Sequence, residues 1–168
     1  MTLRILAALA VLASPVLARP GNQGQSPSIV PIDSTGFRNI LADASGGPVL
    51  VNFWATWCVP CVQEFPDLLR VRETYGPRGL KVVFVSIDRE SDAGTTVSRF
   101  LNSRHVGFTT YIKKKGNDEG FINAVDTAWS GALPATLIYD QHGSLKQLLV
   151  DRQSFESLSK IIQPLLKQ

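Results

Sequence analysis

Cys58 and Cys61 are the only two cysteines in this 168-residue chain. They enclose Val59-Pro60, directly behind an apolar run from Pro48 to Trp54 and at the head of a helix-like stretch. Two thiols at this spacing close a small disulfide ring and reopen it by exchange with a partner, a chemistry that needs no cofactor. The reactive species is a thiolate, so one sulfur must be stabilised as an anion. Cys58 should sit at the N-terminus of the following helix, where unpaired amide donors and the helix dipole favour negative charge. Cys61 falls one turn inside and should be shielded. This makes Cys58 the attacking thiol and Cys61 the resolving one. The alternatives are a metal site and a lone structural bridge. A closed zinc site takes four ligands, and His105 and His142 are the only histidines, with no ligand-like spacing to the pair.

Three neighbours bear on that chemistry. Val59-Pro60 places no cation beside the sulfurs; a strongly stabilised thiolate makes an oxidant, so its absence points toward a reductant. Pro60 suits the first helical turn, where its missing N–H costs nothing. Glu64, three residues after Cys61 on the same helix face, can take and return a proton if buried, or is simply a solvated surface glutamate. Pro134 opens an apolar strand: it sits where no ladder donor is needed, or a cis peptide at Leu133-Pro134 holds the backbone open for an incoming strand.

The elements that must position these residues follow from periodicity and turn chemistry. Asp33 or Ser34 caps a helix with Phe37, Ile40 and Leu41 on one face, ended by Gly46-Gly47-Pro48. Val49 to Trp54 reads as a buried strand. The next helix runs from about Pro60 to Tyr75, kinked at Pro66 and stopped by Gly76. Leu80 to Ile87 is a second buried strand, and Asp92 caps a helix carrying Val97, Phe100 and Leu101. Residues 105–132 read as irregular, with a short helix around Phe121, Ile122 and Val125. Pro134 to Tyr139 and Leu145 to Val150 form a hairpin about a turn at Asp140–Gly143. Phe155, Leu158, Ile161, Ile162 and Leu165 mark a C-terminal amphipathic helix. The expected fold class is α/β, a central mixed sheet with helices on both faces.

The N-terminus reads as a cleavable leader: Arg4, an apolar run from Ile5 to Ala13, Pro15, and small residues up to Ala18. That run is too short for a span of about 20 residues. Residues 1–18 are therefore the expected signal peptide, 19–31 a Pro-, Gly-, Gln- and Ser-rich tether, and 32–168 one domain. Export implies a periplasmic or secreted protein. The formal net charge of +3 is scattered along the chain rather than striped, which argues against nucleic acid or anionic membrane as partner. Lys113-Lys114-Lys115 reads as a solvated turn, or as a docking patch for an acidic partner.

The chain resembles the thioredoxin-fold proteins, and among them the TlpA/ResA-like family of exported bacterial thiol-disulfide oxidoreductases. The residues that carry the resemblance are Val51-Asn52-Phe53-Trp54-Ala55-Thr56-Trp57-Cys58-Val59-Pro60-Cys61, Glu64-Phe65-Pro66 and Leu133-Pro134-Ala135-Thr136. It covers roughly Ile32 to Leu166. The resemblance implies a thioredoxin-like fold, Cys58 and Cys61 as the redox-active pair, Pro134 as the cis-proline beside them, and Glu64 as the carboxylate of the active-site cavity. Ordinary thioredoxins bury an aspartate on the central strand paired with a lysine on the next; here Asn52 and Phe84 occupy those positions, so a proton relay must use Glu64 or water. Trp57, Leu133 and Pro134 would frame a groove for protein or peptide disulfides, unless Trp57 simply packs against the motif. A separate thiol donor, which could be membrane-bound, would reset the enzyme; the expected state is a monomer without metal or nucleic acid. Many relatives begin with a hairpin where this chain reads as a helix, and Tyr111 to Trp129 reads as an insertion that shapes substrate choice. The residues do not assign the chain to cytochrome c maturation. The rival readings are a disulfide-introducing oxidase on the same scaffold and a non-catalytic peptide-binding module. Peroxide reduction is disfavoured, because Ala55 stands where a threonine three residues before the nucleophile is needed.

Overall fold

The computed structural model describes residues 27–43 and 46–166. The leader assigned to residues 1–18 and most of the tether lie outside the described residues. A six-stranded mixed sheet runs in the order β1-β4-β3-β2-β5-β6. Its strands are β1 (Ile29–Ile32), β2 (Val49–Trp54), β3 (Lys81–Ser86), β4 (Thr110–Lys113), β5 (Ala135–Tyr139) and β6 (Leu145–Val150). β1, β4, β3 and β2 are parallel, while β5 and β6 complete the sheet antiparallel to their neighbours.

Side chains of β2 alternate between the two faces, as a strand's period of two requires. Leu50 and Trp54 point to one core, with Cys61, Phe65, Leu68 and Val71 of α2 (Val59–Tyr75), Leu101 of α3 (Ser98–Ser103), and Leu158 and Ile162 of α5 (Phe155–Ile162). Val49, Val51 and Phe53 point to the other, with Phe37 and Ile40 of α1 (Ser34–Ala42) and Phe121 and Val125 of α4 (Asp118–Val125). Phe53 stacks on Trp129 at 4.5 Å between ring centroids and meets Phe121 edge-on at 6.2 Å. Every β2 residue is buried, which is why its sequence is a near-continuous apolar run.

Local signals explain the element ends. Asp33 caps α1, its side chain accepting from the Thr35 and Gly36 N–H groups. Asp140 accepts from His142 N and Ser144 N to form the β5–β6 turn, with Gly143 at φ 76°.

Several expectations are corrected. Residues 29–31, assigned to the tether, belong instead to the edge strand Ile29–Ile32, which pairs with β4. The irregular segment contains β4 as well as α4. α2 ends at Tyr75 with Gly76 as its C-cap, as expected, but Gly76 keeps right-handed dihedrals and opens a 3₁₀ turn, and Gly79, at φ 96°, makes the reversal. Asp92 makes no cap; the segment Glu90–Asp92 is a 3₁₀ turn that leads into a π-type turn, Ala93–Val97, ahead of α3. Pro66 lies inside α2, as expected. Among the described residues no helix is long and apolar enough to cross a membrane.

Candidate active site

The C-terminal ends of parallel β2 and β3 and the start of antiparallel β5 meet at one edge of the sheet. The chain leaves β2 at Trp54, turns through Ala55–Trp57 and enters α2 at Val59. Asp88 fixes that turn. Its carboxylate accepts from Thr56 N at 2.9 Å, Thr56 Oγ1 at 2.6 Å and Ser86 Oγ at 2.7 Å. Three donors on one buried carboxylate hold the segment before Cys58 to the end of β3.

Cys58 is the N-cap of α2, and its Sγ accepts from Cys61 N at 3.3 Å. The two sulfurs are joined, with Cα atoms 5.2 Å apart. Cys58 keeps 6% exposure and Cys61 none, the order expected from the helix register. Around Cys58 the surface is apolar: Trp57 and Val59 are each 66% exposed. Trp57 is therefore not a core-packing residue, and Val59 joins it on the rim.

Below the disulfide lies Glu64, fully buried one turn beyond Cys61. Asn52 Nδ2 donates to its Oε1 at 2.8 Å and to Thr136 Oγ1 at 3.1 Å. Gln153 N donates to its Oε2 at 2.9 Å. Asn52 and Thr136 are register partners across β2 and β5, so the sheet itself places them under α2. Burial raises the carboxyl of Glu64 above the ordinary glutamate range. The hydrogen bonds from Gln153 and Asn52 and the charge of Arg152 oppose that rise, and Asp67 adds to it. Asn52 Oδ1 is buried without a partner among the described residues. The solvated-surface reading of Glu64 does not hold: its neighbours on β2 and the β6–α5 loop enclose it.

Pro134 is buried and follows a cis Leu133–Pro134 bond. Since Phe53 pairs with Ala135, Pro134 lies beside the end of β2 that leads to Cys58. Its carbonyl accepts from Asp151 N at 3.1 Å, and Asp151 itself adopts φ 97°. One short loop, 151–153, thus holds both Pro134 and Glu64. Leu133 is half-buried and packs against both cores. The sheet edge therefore gathers Cys58, Cys61, Glu64, Trp57, Leu133 and Pro134. Sequence reasoning missed Asp88 and Gln153. The polar pair Ser86 and Asp88, closing an apolar strand, was a usable signal for the first; Gln153 acts through its backbone, which no side chain advertises. Among the described residues no group of three or more His, Cys, Asp or Glu is arranged to hold a metal ion.

The sequence profile of the AhpC/TSA family matches residues 28–148. Thioredoxin-like protein YneN of Bacillus subtilis is 34% identical over 126 residues, covering 75% of this chain and 69% of that protein. Thiol-disulfide oxidoreductase ResA of Geobacillus kaustophilus is 27% identical over 135 residues, 80% of this chain and 72% of that one. Among solved structures, a thioredoxin-family thiol:disulfide interchange protein from Chlorobium tepidum superposes with a TM-score of 0.64 at 24% identity, over 89% of this chain and 99% of its own. A thiol:disulfide interchange protein DsbE from the same organism gives 0.61 at 26% identity, over 76% and 85%.

Proposed function

The chain belongs to the AhpC/TSA family, and we propose that this thiol-disulfide oxidoreductase reduces protein disulfides outside the cytoplasm. The observation that carries the reading is the Cys58–Cys61 pair at the head of α2, with Glu64 buried one turn below. In the reduced enzyme the Cys58 thiolate attacks one sulfur of a client disulfide; the other leaves as a thiolate and takes up a proton. Cys61 then gives its proton to Glu64 and attacks the Cys58 sulfur. The second client thiolate leaves, protonated in turn, and the Cys58–Cys61 bridge holds the oxidised state. The client gains two electrons and the dithiol loses two. A separate thiol donor restores it.

Glu64 suits the proton step because burial lifts its carboxyl toward working pH, where a group is effective as both acid and base. Trp57, Leu133 and Pro134 frame the client's approach. The direction rests on the surroundings of Cys58. One backbone N–H, that of Cys61, reaches its sulfur, and Val59-Pro60 adds no cation. A modestly stabilised thiolate favours the oxidised enzyme and hence electron donation. The leader at residues 1–18 supports export, and the mature N-terminus of the expressed protein should follow Ala18. The reduction potential tests direction. A value near about −270 mV supports a reductant, and one near about −120 mV makes the enzyme an oxidase.

A further inference from the structure

On the sheet face that packs against α4, a cleft of about 940 Å³ opens between the loop after β3, the loop after β4 and α4. Its size falls in the range of ligand sites, roughly 300–1,000 Å³. We infer that this cleft is a client-recognition subsite, taking an apolar side chain with an adjoining carboxylate, set a few residues from the client's disulfide. The inference rests on the exchange reaction proposed above.

The floor is apolar and held rigidly. Ile87, Phe121, Ile122 and Trp129 line it, and Phe121 and Trp129 are locked by their ring contacts with Phe53. Gly131 packs closely on Ile122: at φ 84°, a Cβ there would lie 2.7 Å from Ile122 Cδ1.

The rim selects charge. It carries four cations, Arg89, Lys113, Lys114 and Lys115, and three carboxylates, Asp88, Glu90 and Asp118. All three carboxylates are committed: Asp88 to Thr56 and Ser86, Glu90 to the Lys115 N–H at 2.9 Å, and Asp118 to Lys113. Lys114 faces Asp33 at 3.4 Å. The Arg89 guanidinium and the Lys115 ammonium are exposed and have no partner among the described residues. The lysine run is therefore not a uniform solvated turn. Lys113 is tucked in, its side chain 11% exposed, while Lys115 remains free to meet an anion.

Position links the cleft to the chemistry. Asp88 forms both a wall of the cleft and the anchor of Thr56, two residues before Cys58. Two residues span at most about 7 Å, so the Asp88 wall of the cleft lies within about 12 Å of Cys58. An extended client strand covers that distance in about three or four residues.

The test uses reduced wild-type protein and peptides whose single cysteine carries a thionitrobenzoate disulfide, with release of the coloured thiol followed. Leu-Glu is placed three or four residues from the cysteine, on either side, against Leu-Lys and Ser-Gln at the same positions. The expected result is that one Leu-Glu peptide has a kcat/KM about tenfold above Ser-Gln, since enclosing a leucine side chain is worth about that factor, and about fivefold above Leu-Lys, which keeps the leucine and reverses the charge. The advantage over Leu-Lys should shrink with added salt and disappear in an Arg89→Gln, Lys115→Gln double variant, both positions being exposed. Equal rates for all peptides, or a preference unchanged in the double variant, overturn the subsite. Hydroxyethyl disulfide, too small to reach the cleft, separates the two readings. If it is reduced while the peptides are not distinguished, only the subsite fails; if it is not reduced at all, the exchange reaction fails with it.

Discussion

Replacing Glu64 by Gln removes its proton exchange while keeping its shape, and the structure sets the expected cost. Glu64 accepts two hydrogen bonds, from Asn52 Nδ2 and Gln153 N. The substituted amide's oxygen can keep the bond from Gln153 N, but its nitrogen then faces Asn52 Nδ2, donor against donor. Rotating the Asn52 amide resolves the conflict. Oδ1, which now lacks a partner, would accept from the new side-chain amide and from the Thr136 hydroxyl, leaving one polar group of Asn52 unpaired as before. Stability in urea should therefore stay within about 1 kcal/mol of wild type near neutral pH. Glu64→Leu leaves two buried donors unsatisfied and should cost about 2–6 kcal/mol. The pH dependence has a definite sign. Burial raises the folded carboxyl above its ordinary 4.5, so the stability it contributes is full below about that pH and is lost as pH rises through the raised value. Wild type minus Glu64→Gln should fall across that window and then level off. Stopped-flow resolution of a preformed Cys58 mixed disulfide should slow by about 10²-fold, with formation of that mixed disulfide little changed. A folded Glu64→Gln protein that resolves at the wild-type rate across the whole titration window refutes the proton role.

Asn52→Asp puts a second carboxyl against Glu64, where the donor–acceptor distance is now 2.8 Å. Two like charges near 4 Å repel by about 4 kcal/mol at an effective dielectric of about 20, so the pair should retain one shared proton. Both groups bind protons more tightly when folded. The variant should thus match wild type in acid and lose up to about 4 kcal/mol as pH rises, read from urea midpoints; a pH-independent difference would contradict the coupling. Asp88→Asn can accept from fewer of the three donors of Thr56 and Ser86 and sets its own NH₂ against one of them. It should cost about 1–3 kcal/mol and slow attack by Cys58 on small disulfides, because the turn before the cysteine loses its anchor. Unchanged exchange kinetics in a destabilised variant would limit Asp88 to a structural role.

What could be read from the sequence was what local pattern determines. β2, β3 and the β5–β6 hairpin are apolar runs bounded by turn residues, α1 has a clear cap in Asp33, and α5 has a clear apolar face. β1 was hidden because Pro31 sits inside it and only four residues take part. The bonds from Thr110 N to Ser28 O and from Lys114 N to Ile32 O put the even residues of β1 against β4, so Pro31 turns its missing N–H to the outer edge. β4 was hidden because it is short, meets β3 at only two register positions and runs directly into the lysines. Both strands exist through tertiary pairing rather than local propensity. The cysteine pair was legible from spacing alone. The burial of Glu64 was not, because it depends on Asn52 and on the Gln153 backbone, residues 12 and 89 positions away.

The fold and the direction of electron flow have separate determinants. A strand delivering a Cys-x-x-Cys pair to a helix N-terminus supplies the dipole and the amide donors whatever the residues between the sulfurs. Those features lower the thiolate's energy in any protein built this way, so they cannot distinguish donor from acceptor. What distinguishes them is the charge and bonding added to the outer sulfur and the cost of holding a proton near the inner one. Here Cys58 Sγ gains one backbone donor and an apolar rim, while Glu64 beneath is raised by burial. A carboxylate that ionises in that enclosure disfavours further negative charge nearby, which weakens the case for a stable thiolate form and strengthens the case for a dithiol that gives its electrons away. On the proposed reading, the same burial that would make Glu64 a proton acceptor would also push the couple toward reduction of clients, so Glu64→Gln should raise the reduction potential as well as slow resolution.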